Sequence, residues 1–304
     1  MKKVAVIGEH LIHRYVYPSF FNGFDPELME KNGGWAADLV RGKTTESIVP
    51  GARINYIWCG DRQLAENLAA TCFIDNVADR FDEMVDEVDA VMILEDDGNL
   101  HLGLARPYIE RGKAVFFDKP FACTARDARA IVDLARKYGA KIIAGSALKY
   151  SVELNDLLSR VPQDAIKSVY VAGPGQWLNY GVHVVEALQT ILGSGAMRVR
   201  NVGIEETDLV CVDYQDGRFG ILQVSRTICP GFSIVACTKD SAEYVPIRDS
   251  YHFYSALAKA MGKTFVGGEE PFPLERYIET AEILEAGEKS LRLGGLPVGL
   301  SDLA

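Results

Sequence analysis

Hydrophobic residues follow two different rhythms along this chain. In the first half they come in short unbroken runs separated by amphipathic stretches. VAVI at 4–7 reads as a buried strand stopped by Gly8, and ARINYIWCGD as a second strand ending in Gly60-Asp61. RQLAENLAA at 62–70 has helical composition, and VDAVMILEDD holds a buried strand at 88–94. LHLGLARPYIERG at 100–112 suits a helix with Gly112 just past its end. KAVFFDKP at 113–120 is another strand, stopped by Pro120. TARDARAIVDLARKYG at 124–139 opens with Thr124 and Asp127, a variant of the capping box, and AKIIAGS follows as a strand. Unbroken apolar strands alternating with helices predict an α/β unit with a parallel sheet covered on both faces.

The second half changes rhythm. KSVYVAGPG (167–175), VRNVGIEETDLVCVDYQDGRFGILQVSR (199–226) and FSIVACTKDSAEYVPI (232–247) alternate apolar and polar positions, with a D-G hairpin turn in YQDGR. These predict an open, mainly antiparallel sheet with one face buried. A helix at 182–193, VHVVEALQTILG, interrupts them, and SYHFYSALAKAMG and LERYIETAEILEAGEKSLRLG give two more near the end. The change of rhythm divides the chain into domains over 1–148 and 149–304. The segment 24–51 sits where a plain strand–helix–strand unit needs only one helix, and Gly33-Gly34 and Pro50-Gly51 break it. It reads as an insertion: a lid or an oligomer contact, with a surface loop and short helix as the equal alternative.

Composition narrows the function classes. The formal net charge is -10 and no block of Lys/Arg offsets it, which argues against nucleic acid and anionic membrane as partners. The apolar run after MKK stops at Gly8-Glu9-His10, too short for a secretory h-region, and no stretch approaches the ~18 residues of a membrane span. The six cysteines (59, 72, 123, 211, 229, 237) are scattered without a C-x-x-C, and Cys59 and Cys211 fall in strand-like runs as buried thiols. The expectation is a reduced, cytoplasmic protein.

The first strand poses the cofactor question. A dinucleotide turn continues G-x-G-x-x-G, but here Gly8 is followed by His10 and His13 where the other glycines belong. The missing glycines serve close backbone approach to the pyrophosphate and helix packing. Gly8 keeps the turn, the helix N-terminus still offers amides to an anion, and the two histidines could serve as extra donors. Gly8, Glu9 and His10 are therefore cofactor candidates. Asp61 ends the second strand, where an acidic residue binds the adenosine ribose, and Arg62 beside it keeps NADP open, with NAD favoured. His10 and His13 are an i, i+3 pair with no matching third ligand in the sequence, so no metal is expected.

Three stretches carry a resemblance: GKAVFFDKPFACTARDA, NYGVHVVEALQTILG, and the pair YHFYSALAKAMGK and ERYIETAEILEAGEKSLRLGGLPVGL. In order and spacing they resemble the glucose-fructose oxidoreductase/inositol dehydrogenase/rhizopine-catabolism (Gfo/Idh/MocA) family. Asp118-Lys119-Pro120 is similar to its E-K-P motif, and Asn179-x-Gly181-x-His183-x-x-Glu186 to its D-x-G-x-H-x-x-D motif. The resemblance covers nearly the whole chain except 24–51. It implies a Rossmann domain, then an α/β domain with an open sheet that serves oligomerisation, as a homodimer or homotetramer. It implies an active site between the domains and NAD(P)-linked oxidation or reduction of a hydroxyl or carbonyl on a carbohydrate-like small molecule.

Residue chemistry agrees. Lys119 follows a parallel strand at its carboxyl end, the ligand side, where an ammonium can stabilise a developing alkoxide. His183 falls in the first turn of the expected helix, where the dipole favours a neutral ring able to take a proton. Glu186 has the right charge for that helix end. Asn179 departs from the family's Asp and cannot exchange a proton at neutral pH. Trp177 and Tyr180 flank it as sugar-stacking candidates, and Lys149 is a further substrate-binding candidate. LEDDGNLH at 94–101 stands where the family has Thr-Pro. Asp96 is its cofactor candidate, although its acidic residues would repel phosphate and suit a hydroxylated substrate. The alternative is a non-catalytic member that binds a sugar or nucleotide as a sensor or scaffold.

Overall fold

The computed structural model describes residues 1–227 and 231–303. Cys229 lies outside them. The chain forms two compact units, Met1–Phe121 with Arg129–Ala144 and Tyr254–Leu274, and Ala122–Ala128 with Gly145–Phe253 and Glu275–Ala304. They are not divided by one cut near residue 148: the chain returns to the first unit after Tyr254.

In the first unit, β1 (Lys2–Ile7) leads to α1 (His13–Asn22), α2 (Pro26–Asn32) and α3 (Trp35–Val40). Then come β2 (Ala52–Trp58), α4 (Arg62–Thr71), β3 (Asn76–Val77), β4 (Ala90–Ile93), α5 (His101–Ile109), β5 (Ala114–Phe117), α6 (Ala125–Tyr138) and β6 (Ile142–Ala144). The six strands pair in the order β3-β2-β1-β4-β5-β6, every pair parallel. Val4–Ile7, Ala90–Ile93 and Ile142–Ala144 are fully buried, as the unbroken apolar runs require. Strand order reverses between β1 and β4, so the ligand crevice of such a sheet opens at the carboxyl ends there. Gly8–His13, Leu94–Asp97 and Asp118-Lys119 all follow strands at that edge.

The segment 24–51 is folded onto this unit. Asp25 caps α2, accepting from Glu27 N and Leu28 N at 2.9 Å each. Just before it, the Asn22 amide bonds both N and O of Ile54. Cys59 is buried as expected, with burial pushing its thiol up to about 12, whereas Cys211 is only half-buried. Among the described residues no helix is long and apolar enough to cross a membrane.

The second unit opens with α7 (Val152–Arg160), β7 (Ser168–Pro174) and α8 (Trp177–Leu192). It continues through β8 (Ala196–Asn201), β9 (Thr207–Tyr214), β10 (Phe219–Ser225), β11 (Ser233–Cys237) and β12 (Ala242–Pro246). α9 (Ser250–Gly267) carries the chain back to the first unit, and α10 (Leu274–Arg292) and β13 (Val298–Gly299) complete the second. Its sheet order is β12-β11-β7-β10-β9-β8-β13, antiparallel except between β7 and β10. Alternate residues Val210, Val212, Leu222 and Val224 are buried, and Leu188 of α8 packs on Gly220. Half of the expected capping box opens α6: Asp127 N donates to Thr124 Oγ1 at 3.1 Å, while the Asp127 carboxylate accepts the Thr124 hydroxyl at 2.8 Å.

α8 starts at Trp177 rather than at 182. No Ser, Thr, Asp or Asn marks this start, since the cap is Gln176 without a side-chain bond. The Trp177 indole fixes it instead, packed on Gly181 and Gly287 with Nε1 donating to Leu284 O at 2.9 Å.

Gly8 has φ of 114°, and a Cβ there would meet Leu94 O at 2.2 Å. The sheet itself demands this glycine. Gly8→Ala is expected to cost about 1–3 kcal/mol from backbone strain alone, and more from the clash. A thermal melt should show a loss of several degrees, and an unchanged melt would refute the close approach of β1 and β4.

Candidate active site

The turn after β1 feeds α1, whose first amides lack intrahelical partners. The Ile12 cap makes no side-chain bond. His10 fills the gap: its Nδ1 accepts from Ile12 N and His13 N, both at 3.2 Å. The sequence suggested histidines as donors to an anion, but His10 Nδ1 acts as an acceptor and takes the anion's place. With the Nδ1 lone pair engaged, the ring proton belongs on Nε2, which lies 2.8 Å from Asp96 Oδ1. The same Oδ1 is 3.3 Å from Lys119 Nζ. Burial would raise the Asp96 carboxyl, but His10 and Lys119 outweigh it and hold it at about 2.

Asp118, fully buried, lies just past β5. Its Oδ1 accepts the Lys119 backbone N–H at 2.8 Å, and its Oδ2 is 2.6 Å from His13 Nδ1. Burial would raise it too, but the His13 hydrogen bond and the nearby Lys119 charge outweigh this and keep it ionised, well below the usual carboxylate range. An ionised carboxylate only accepts, so His13 Nδ1 carries the proton. Burial pushes the His13 imidazole down further than Asp118 raises it, which leaves Nε2 as a lone pair 3.1 Å from Tyr254 Oη. The two imidazoles stack at 3.9 Å, inclined by 4°.

The fold thus supplies His10 and His13 with the third group missing from the sequence pattern. The donor atoms of His10, His13 and Asp118 lie within 4.8 Å of one another. An imidazole lone pair lies in its ring plane, however, and two stacked rings aim theirs along parallel planes that do not meet. One ring would have to turn before a single ion could take both.

In the second unit, His183 is half-buried and nearly two turns into α8, beyond the reach of the helix-dipole argument. Ser146, just after β6, orients it instead: Ser146 Oγ is 2.6 Å from His183 Nδ1 and accepts from Leu148 N at 3.1 Å. No motif marks this serine beyond its place at a strand end. Tyr180 is partly exposed with its ring 5.3 Å from His183, and Asn179 is exposed on the first turn of α8. Trp177 is a core residue, 4% exposed, rather than a stacking surface. Lys149 and Glu186 are sealed inside the unit, Nζ to Oε2 at 3.0 Å, with side chains 1% and 2% exposed. Glu186 Oε2 also accepts Ser146 N at 2.8 Å. Lys149 serves this internal pair instead of facing a substrate, and Glu186 does not serve a helix dipole.

Residues 37–146 match the model of an oxidoreductase family with an NAD-binding Rossmann fold, Gfo/Idh/MocA. That segment belongs to the Gfo/Idh/MocA family. The rhizopine catabolism protein MocA of Rhizobium meliloti is 23% identical over 174 residues, 48% of this chain and 54% of that protein. The chain thus aligns with about half the length of its curated relative. Among solved structures, a scyllo-inositol dehydrogenase from Lactobacillus casei with bound NAD(H) and scyllo-inositol superposes with a TM-score of 0.80 at 12% identity, covering 99% of both chains. GenD2 from gentamicin A biosynthesis, in complex with NAD, superposes with a TM-score of 0.77 at 15% identity, covering 98% of this chain and 96% of that one. At such identities these two likenesses establish the fold.

The Gfo/Idh/MocA match begins after the degenerate turn, so the fit to a dinucleotide rests on the turn's own residues. Gly8 keeps its geometry. Asp61 stands at the end of β2 with Oδ1 capping α4, bonded by Gln63 N at 2.9 Å and Leu64 N at 3.2 Å, which leaves its second oxygen for a ribose hydroxyl. Glu9 Oε1 accepts Asp61 N at 3.0 Å and fixes that strand end to the turn. Arg62 pairs with Glu66 and Asp79, so its charge is already matched. Arg14, which no motif marks, donates Nη1 to Glu9 O at 3.3 Å, and its Nε is buried with no acceptor among the described residues. These groups fit a dinucleotide once the His10 ring leaves the amides of α1.

The buried pair gives a direct check on the Lys149 assignment. Lys149→Ala strands Glu186 and is expected to destabilise the protein by about 3–5 kcal/mol, read by denaturant unfolding. Lys149→Met with Glu186→Leu should recover most of that loss. A Lys149→Ala protein of wild-type stability would return Lys149 to the substrate.

Proposed function

We propose that this protein is a nicotinamide-dinucleotide-dependent oxidoreductase acting on a hydroxyl or carbonyl of a sugar, polyol or derivative. The observation that carries the reading is Lys119. It is 9% exposed, follows β5 at the carboxyl edge beside the strand-order reversal, and has its ammonium held by Asp96. The family match over this segment and the inositol dehydrogenases among the similar structures support it. NAD is favoured over NADP because Arg62 is tied to two carboxylates and Asp61 suits unmodified ribose hydroxyls. The acidic run Glu95–Asp97 favours an uncharged hydroxylated substrate over a phosphorylated one. The open face of the second sheet is proposed to join copies in a homodimer or homotetramer.

When bound, the dinucleotide would supply the hydride acceptor or donor. Gly8, Glu9, Arg14 and Asp61 would hold it. The Lys119 ammonium would donate to the reacting oxygen and stabilise alkoxide character. His183, with its Nδ1 proton given to Ser146, would accept a proton at Nε2. Asn179 and Tyr180 would contact substrate hydroxyls. A sensor or scaffold role is favoured by one observation, the His10 ring on the α1 amides.

His10→Gly separates the two readings. It restores the second glycine and is expected to tighten NADH at least about tenfold by fluorescence titration, since a hydrogen bond to a charged group contributes about 1.5–3 kcal/mol. Lys119→Ala is expected to lower kcat by about 10²–10³ on a panel of polyols and sugars with NAD. Binding without turnover in wild type and His10→Gly alike would establish the sensor reading.

A further inference from the structure

We propose that Tyr254 is an additional acid–base residue of this protein, the outer end of a proton relay that runs through His13 to Asp118. The relay lies wholly within the first unit, and its use on a polyol hydroxyl rests on the oxidoreductase reading above. Asp118 Oδ2 is 2.6 Å from His13 Nδ1, and His13 Nε2 is 3.1 Å from Tyr254 Oη. The buried carboxylate fixes the Nδ1–H tautomer, so the phenol donates to Nε2. This is the logic of a base-activated hydroxyl, with a phenol as the activated group. Asp118 acts as a positioning residue, and His13 carries the proton.

The surroundings match the role. His13 is 3% exposed and cannot meet a substrate directly, whereas Tyr254 is only partly buried. Its ring meets Tyr17 at 6.0 Å and Trp35 at 5.8 Å, both near edge-on. Trp35 is 42% exposed, an apolar face beside a polar group of the kind that suits a sugar ring. It also gives the segment 24–51 a task at the site.

In the oxidative direction this relay takes the substrate O–H proton in place of His183: the proton passes to Tyr254 Oη as the phenol proton passes to His13 Nε2, and His183 is left to hold a substrate hydroxyl. The electron pair of that O–H bond stays on oxygen and closes the C=O, and the dinucleotide, when bound, would supply the acceptor for the carbinol hydride. The resulting imidazolium lies against the Asp118 carboxylate. Reduction runs the same transfers backward.

An aryl sulfonyl fluoride tests the relay without cofactor or substrate. Tyr254 Oη attacks sulfur, the S–O bond forms, fluoride leaves, and the phenol proton goes to His13. Peptide mass spectrometry should find Tyr254 labelled faster than Tyr244, although Tyr244 is 67% exposed. His13→Gln and Asp118→Asn should each slow that labelling by at least about tenfold, with Tyr244 unchanged as the folding control. Histidine ¹⁵N NMR should show His13 protonated at Nδ1 and bare at Nε2. On the polyol panel, Tyr254→Phe should lower kcat by about 10²–10⁴ with KM little changed. Labelling of Tyr254 no faster than Tyr244, or full kcat in Tyr254→Phe, would overturn the relay. Fast, His13-dependent labelling in a protein that oxidises nothing would keep the relay and defeat only the oxidoreductase reading.

Discussion

A carboxylate with no access to water must be satisfied by its neighbours alone, and Asp118 imposes that condition on the carboxyl edge of the first sheet. Left unpaired it would cost several kcal/mol. Its two oxygens are met by the Lys119 backbone amide and by His13. His13 then presents its face to His10, His10 reaches Asp96, and Asp96 holds the Lys119 ammonium. The chain of contacts thus returns to the residue where it began. Few side chains in this circuit can change alone, because each one's proton position is set by the next.

The altered turn after β1 makes sense in these terms. Three glycines of a dinucleotide fingerprint serve three different needs, and the circuit replaces two of them. The first persists because Leu94 O leaves no room for a Cβ. At the second position His10 brings its own acceptor to the helix amides, which otherwise need a bound anion or water. At the third, His13 reaches Asp118. A helix start that is already capped is stable without ligand, and any anion must compete with an acceptor built into the chain.

Much of the architecture was readable because local pattern decides it. The runs at 4–7, 90–94 and 115–117 are buried on both faces, and such strands leave an unambiguous apolar trace. The alternation in 207–225 marks a sheet with one covered face. The start of α8 was not readable, because a tryptophan packed on two glycines sets it, not a capping residue. The substrate-side assignments of Trp177 and Lys149 went astray for one reason. An aromatic or a lysine near a motif looks the same in sequence whether it faces a crevice or the core. D-K-P put Lys119 just past the carboxyl end of β5, where it lies. Ser146 behind His183, and Tyr254 beside His13, depend on contacts between residues far apart in the chain.

The return of the chain to its first unit bears on how the protein is made. Residues 145–253 emerge from the ribosome between the last strand of the parallel sheet and the helix bearing Tyr254. At about 5–20 residues per second that interval is on the order of ten seconds. Through it the six strands can pair, but His13 lacks its phenol and the aromatic wall its keystone. The nascent sheet therefore waits with its chemical edge unfinished, and that edge is completed only when residues 145–253 of the second unit have been synthesised.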